Sequence, residues 1–179
     1  MVTFTFYSPI STSLSYSPSP LYYSPISTSL SQGEPSTKYF IGMKSIRVDK
    51  KVVPLKRTLL SINNVGIGGT KISFVNLYTM LEASIFKAVT KAFVKVSPAR
   101  NIMRVAGVAP FEVCFSSVNI VGTRFVNGGE KPRTSIAIGG YQLENNLLQS
   151  DLAASRMSFS SLLFKSRTTW ANFNFTSTV

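Results

Sequence analysis

The 179-residue sequence contains no histidine, a single cysteine and only two aspartates. Each scarcity closes off a class of chemistry. Without histidine there is no Ser-His-Asp triad, no Cys-His nucleophile and no HExxH metal site. The usual pH switch is missing with it. One cysteine, Cys114, cannot form an intrachain disulfide. No apolar run approaches the ~20 residues that span a bilayer as a helix. There is no GxxxxGK[ST] loop and no GxGxxG; "GIGGTK" over Gly66–Lys71 has the glycines of a phosphate loop but not its spacing. The basic-aromatic signature of RNA-binding sheets is absent as well. Neither a cofactor nor a metal is expected, and neither nucleic acid nor a membrane is the expected partner. The opening "MVTFTFYSPISTSLS" has no basic n-region and no continuous apolar h-region, so it does not read as a signal peptide.

What is present is uneven. Hydrophobic residues make up 44% of the chain, enough to place it among globular proteins. The formal charge is +12, from 19 basic and 7 acidic residues. The first 33 residues carry no charged side chain, whereas Lys38–Arg104 holds 13 Lys and Arg against Asp49 and Glu82. Such a block suits an acidic partner: nucleic acid, anionic polysaccharide, anionic lipid or a carboxylate-lined cleft. It equally suits a solvated basic surface.

Organisation follows the same division. "YSPISTSLS" occurs at Tyr7–Ser15 and again at Tyr23–Ser31. Ser-Pro steps disfavour helix in the residue before proline, so residues 1–35 are expected to form a Ser/Pro-rich, disordered segment. Residues 36–179 form the second unit. "KYFIGMKSIRVDKKVVPL" alternates apolar and polar residues around Asp49-Lys50, which predicts a hairpin. "RTLLSINNVGIGGTKISF" reads as further strand. A helix is expected over about Met80–Val96. Leu81, Ile85, Ala88, Val89, Ala92, Phe93 and Val96 share one face, and Pro98 ends the helix. Lys87, Lys91 and Lys95 line another face, which reads as solvated. "TSIAIGG" predicts a buried strand ending in a glycine turn. Over residues 142–161 a helical turn precedes two strands that reverse around Ala153–Ser155.

The stretch "GGTKISFVNLYTMLEASIFKAVTKAF" is similar to the second active-site region of pepsin-like aspartic peptidases, in which a strand leads to Asp-Thr-Gly or Asp-Ser-Gly and then to a helix. On that pattern Ser73 occupies the position of the second catalytic aspartate. Peptidase chemistry of this kind needs two carboxylates sharing one proton, which a serine cannot supply. A narrower resemblance covers Ser31–Val179. "LLSINNVGIGGTKIS", "ARNIMRVAGVAPFEVCFSS", "FVNGGEKPRTSIAIGGYQLENNLLQSDLAASRMSFSSLLF" and "SRTTWANFNFTS" resemble the plant extracellular dermal glycoproteins. Basic 7S globulin, gamma conglutin and the xylanase and xyloglucanase inhibitors belong to the same group.

The resemblance implies a mostly-β C-terminal lobe of the pepsin-like barrel fold with one main helix, lacking both catalytic motifs. It implies an internal deletion near 124–125, where the group has a further block of strands. It implies a non-catalytic binder of cell-wall-degrading glycoside hydrolases in the apoplast, a xylanase or xyloglucan-specific endoglucanase being the target. Arg124 in "VGTRF" and Arg167 in "KSRTTW" match the loops that would enter the hydrolase cleft. Asn174, in Asn174-Phe175-Thr176, is a glycosylation candidate in a secreted chain. The alternatives are an aspartic endopeptidase, as the wider family label suggests, and a decayed duplicate without a selected function.

Overall fold

The computed structural model describes residues 2–6, 19–23, 39–63, 66–116, 124–144, 147–151 and 156–160. The chain opens with β1 (Val2–Phe6), β2 (Ser19–Tyr23), β3 (Tyr39–Ile41), β4 (Met43–Val48) and β5 (Lys51–Val52). β4 and β5 form the expected hairpin. Asp49 and Lys50 both take positive φ, 49° and 68°. Two such residues give the turn whose twist matches antiparallel strands.

Within residues 1–35, where the composition led to the expectation of a disordered segment, the described residues form two strands. Val2–Phe6 pairs antiparallel with β4, with Phe4 opposite Ile46, and Val2 is buried. Ser19–Tyr23 pairs with β3 and with a strand near the other end of the chain. The reason is local: "VTFTF" alternates apolar and β-branched polar residues at the period of a strand. Averaging composition over the surrounding Ser and Pro residues hides that pattern. The two repeat units lie almost wholly outside the described residues.

The next segment also departs from expectation. Arg57–Leu60 is a helical turn, α1, and not strand, with Leu60 buried. A single bridge then joins Ile62 to Gly68. Gly68 takes φ +96°, and a Cβ there would meet the Ser61 carbonyl oxygen at 2.5 Å, so only glycine fits. β6 (Thr70–Ile72), β7 (Thr79–Leu81) and the main helix α2 (Ala83–Val96) follow. The helix therefore starts three residues later than its periodicity suggests. Leu81 lies at helical spacing from Ile85, but it is the last residue of a strand. Glu82 caps the helix, accepting from the Ser84 and Ile85 N–H groups. A 3-10 turn over Pro98–Arg100 closes the segment, and Arg100 pairs with Asp49.

β8 (Arg104–Val105) pairs with β9 (Cys114–Phe115). β10 (Phe125–Asn127), β11 (Ile136–Ile138), the helical turn α3 (Gly140–Leu143), β12 (Leu147–Asp151) and β13 (Arg156–Ser160) complete the described chain. The large sheet runs β10-β7-β11-β6-β3-β2-β13-β12, and a smaller one runs β1-β4-β5. β11 is inserted between two strands joined by a single turn. It is parallel to β6 and antiparallel to β7. Its three residues are all buried, as expected of a strand with neighbours on both edges and covered faces. Between the sheets and α2 lies the core, where Met43, Ile46, Val48, Leu81, Ile85, Val89 and Ile136 are each at most 2% exposed.

Candidate functional site

The insertion of β11 dictates the geometry of the turn that carries Ser73. β6 and β7 are separated by one strand width, so residues 73–78 must bridge over the end of β11. Backbone bonds hold the bridge at both ends. Ser73 N–H donates to the Ile138 carbonyl at 2.9 Å, while Gly140 and Tyr141 N–H donate to the Asn76 and Leu77 carbonyls at 2.8 and 2.9 Å. Gly139 lies beneath the turn and donates to the buried Thr79 Oγ1 at 3.1 Å. A Cβ on Gly139 would meet the Tyr78 carbonyl carbon and oxygen at 2.4 Å and the Asn76 oxygen at 2.8 Å. The glycine pair after "TSIAI" is thus the seat on which the turn rests.

The chemistry offered by the turn is limited. Ser73 is half-buried, and its Oγ accepts the Asn76 N–H at 3.3 Å, a contact inside its own loop. No Asp or Glu occurs between Asp49 and Glu82 in the sequence, and the Glu82 carboxylate is engaged in capping α2. Among the described residues no three His, Cys, Asp or Glu side chains cluster as metal ligands would. No helix among them is long and apolar enough to cross a membrane. What the turn presents outward is apolar: Phe74, Val75 and Leu77 are 76%, 95% and 58% exposed. Tyr78 leaves the turn against Phe111, the rings 4.8 Å apart and edge-on. Val108, 65% exposed, lies in the loop of Phe111, where its carbonyl accepts the Phe111 N–H.

Arg124 is brought to this place from some fifty residues away. Its carbonyl accepts the Thr79 N–H at 3.2 Å, and its guanidinium lies 3.7 Å from the centroid of the Tyr141 ring. Tyr141 is the residue whose N–H holds Leu77. An exposed cation therefore stands at the rim of the Ser73 turn, steadied by an aromatic face in an interaction typically worth ~0.5–1 kcal/mol at exposed sites. Arg167 and Asn174 lie outside the described residues. Sequence reasoning missed Gly139, Thr79, Asn76 and Tyr141. The legible signal was the paired glycine directly after a fully buried strand.

Comparison with known proteins agrees with this architecture. The family described as "Xylanase inhibitor C-terminal" matches residues 38–125 and 121–161. The probable aspartic proteinase GIP2 of Nicotiana benthamiana is 48% identical over 210 aligned positions, which take in 96% of this chain and 44% of that protein. Gamma conglutin 1 of Prunus dulcis is 32% identical over 93% of this chain and 43% of its own length. The crystal structure of EDGP superposes with a TM-score of 0.82 at 47% identity, covering 91% of this chain and 49% of that one. Basic 7S globulin from soybean superposes at 0.67 with 27% identity, over 90% of this chain and 45% of that one. The chain thus spans a little under half the length of these relatives. The 210 aligned positions exceed the 179 residues here, so the Nicotiana protein has at least 31 residues in this region without a counterpart. The family match in two segments that meet at 121–125, together spanning well over half of the chain, places this chain in the xylanase inhibitor C-terminal family.

Proposed function

We propose that this chain is a non-catalytic, pepsin-like half that works by binding, with a cell-wall-degrading glycoside hydrolase as partner and the extracellular space as its location. The observation that carries the reading is the Ser73 turn. At the position that the resemblance gives to the second catalytic aspartate, it presents a hydroxyl bonded within the loop and an apolar tip. Arg124 at its rim supplies the complementary chemistry, since a guanidinium pairs bidentately with the catalytic carboxylates of a hydrolase. Its stacking on Tyr141 reduces the side-chain freedom lost on docking. Arg167 is the second such anchor. The deletion near 124–125 would shorten the loop beyond Arg124 and bring that residue closer to the body of the lobe.

A second reading, an aspartic endopeptidase, is favoured by the name of the Nicotiana relative. The two are separated by paired assays on the full chain. Binding to a panel of fungal glycoside hydrolases should weaken for Arg124→Ala and Arg167→Ala by ~2–5 kcal/mol, the usual cost of truncating one member of a desolvated charge pair. Cleavage of a denatured protein at about pH 3–5 should not occur. Pepstatin-sensitive turnover that survives Ser73→Ala would establish the peptidase instead. Binding to none of the panel would leave the decayed duplicate.

A further inference from the structure

α2 is divided sharply between its faces. Ile85, Phe86 and Val89 are buried, and Phe93 packs edge-on against Phe115 with ring centroids 4.8 Å apart. Lys87, Lys91 and Lys95 are all exposed. At a rise of about 1.5 Å per residue they stand about 6 Å apart along the axis and form a line about 12 Å long. The sequence from Ala83 to Val96 contains no acidic residue. No ion pair or side-chain hydrogen bond joins any of the three lysines to another of the described residues. Like charges at i, i+4 destabilise a helix by a few tenths of a kcal/mol per pair, about 0.2–0.5. Lys95, in the last turn, gains from the helix dipole, but Lys87 and Lys91 have no such compensation.

We infer that the Lys87–Lys91–Lys95 line is a docking surface for a linear acidic polysaccharide, a polymer with carboxylates repeated along its length. Three observations select this occupant. The helix aromatics face inward, so the stacking platform used by single-stranded nucleic acid is missing. The apolar face of α2 is buried in the core, so the helix itself has no apolar side chains left to enter a lipid interface. The stripe is lysine throughout, with no arginine fork to lock a carboxylate or phosphate bidentately. Compact, strongly hydrated ammonium groups suit carboxylates that stay in water. The net charge of +12 adds long-range attraction to any polyanion, and the stripe supplies the local register.

The test uses the full chain and three probes: polygalacturonate, its fully methyl-esterified and hence uncharged form, and vesicles rich in phosphatidylserine. Affinities are measured at about 50 and about 200 mM salt. Polygalacturonate should bind, weaken as salt rises and lose binding on esterification. The triple variant Lys87→Ala/Lys91→Ala/Lys95→Ala should bind on the order of 100-fold more weakly, at roughly fivefold per lysine near an anionic surface. Replacing the same three with arginine should retain most of the binding. Lys44→Ala/Lys50→Ala/Lys56→Ala removes three other exposed lysines and the same net charge. It should weaken binding no more than about threefold, through long-range attraction alone. Equal loss in the two alanine triples would overturn the proposal, because net charge would then be the whole effect. Tighter binding to the vesicles than to polygalacturonate, or no binding to polygalacturonate, would overturn it as well. Arg124 and Arg167 variants should leave polygalacturonate binding unchanged, which separates this surface from the hydrolase-binding one.

Discussion

Gly139→Ala isolates the contact that holds the Ser73 turn in place. The residue has φ −84° and ψ 164°, an extended conformation open to alanine, so the perturbation is purely steric. The new methyl would sit 2.4 Å from the Tyr78 carbonyl carbon and oxygen. These are backbone atoms of the bridge into β7, which cannot rotate aside as a side chain would. Either the 76–78 segment or the start of α3 must move. The bonds at stake are Gly139 N–H to Thr79 Oγ1, Gly140 N–H to Asn76 and Tyr141 N–H to Leu77. Overpacking of this kind costs ~1–3 kcal/mol, and each bond weakened adds ~0.5–1.5 kcal/mol. Displacing one or two of the three gives a loss of about 1.5–6 kcal/mol, against the ~5–15 kcal/mol that stabilises a folded domain. Gly129→Ala is the comparison. Its φ is +86° and nothing lies within 4 Å, so it incurs conformational strain alone, ~1–2 kcal/mol. Thr79→Val probes the same clamp without a clash, by stranding the buried Gly139 N–H at ~1–3 kcal/mol. Urea unfolding provides the measurement, read as a change in midpoint at constant m. If Gly139→Ala is no more destabilising than Gly129→Ala, the turn is not clamped as described.

Ser73→Asp should create no acid peptidase activity at about pH 3–5, because one added carboxylate still has no partner to share a proton with; pepstatin-sensitive turnover in this variant would refute that. Glu82→Ala should lower stability by ~0.5–2 kcal/mol through loss of the α2 cap, with the added amide exchange confined to Ser84–Phe86. Deleting residues 2–6 should remove β4's partner and expose Ile46. Accelerated hydrogen exchange across Met43–Val48 is the expected outcome, and unchanged protection there would count against the β1–β4 pairing. Cys114→Ser should change stability by less than about 1.5 kcal/mol, since the thiol is free and only half-buried.

The parts of this fold that were legible in the sequence are those in which one local rule acts alone. The β4–β5 hairpin announces itself by alternation and by Asp49-Lys50. The body of α2 follows from its apolar spacing and ends at Pro98. β11 is readable from "IAI" bounded by glycines. Failures occur where two rules overlap or where a partner is distant. The Met80–Leu81 pair fits both the end of a strand and the beginning of a helix, and pairing with β11 decides in favour of strand. Arg57–Leu60 leads into apolar "LLSI" and reads as strand with it, yet Arg and Leu are good helix formers and it curls into a single helical turn with Leu60 inside. β1 is a five-residue strand in a compositionally biased region, and it is defined by what it meets in β4. At the site, the turn that carries Ser73 was legible as the link between a strand and the main helix. The stacking of Arg124 on Tyr141 was not, because no local pattern joins those residues.

The exposed tip of the Ser73 turn also governs how copies of the chain behave toward one another. Phe74, Val75 and Leu77 attract any apolar surface, whereas a net charge of +12 repels another copy of the same chain. The two forces differ in range. Repulsion acts over a Debye length of about 10 Å at 0.1 M salt and collapses to about 3 Å at 1 M, while apolar attraction persists and is strengthened by sulfate or phosphate. The chain should therefore stay dispersed in dilute buffer and self-associate as salt rises, opposite in sign to its binding of a polyanion. Light scattering across a salt series, with Val75→Lys as the blocked form, would follow that crossover.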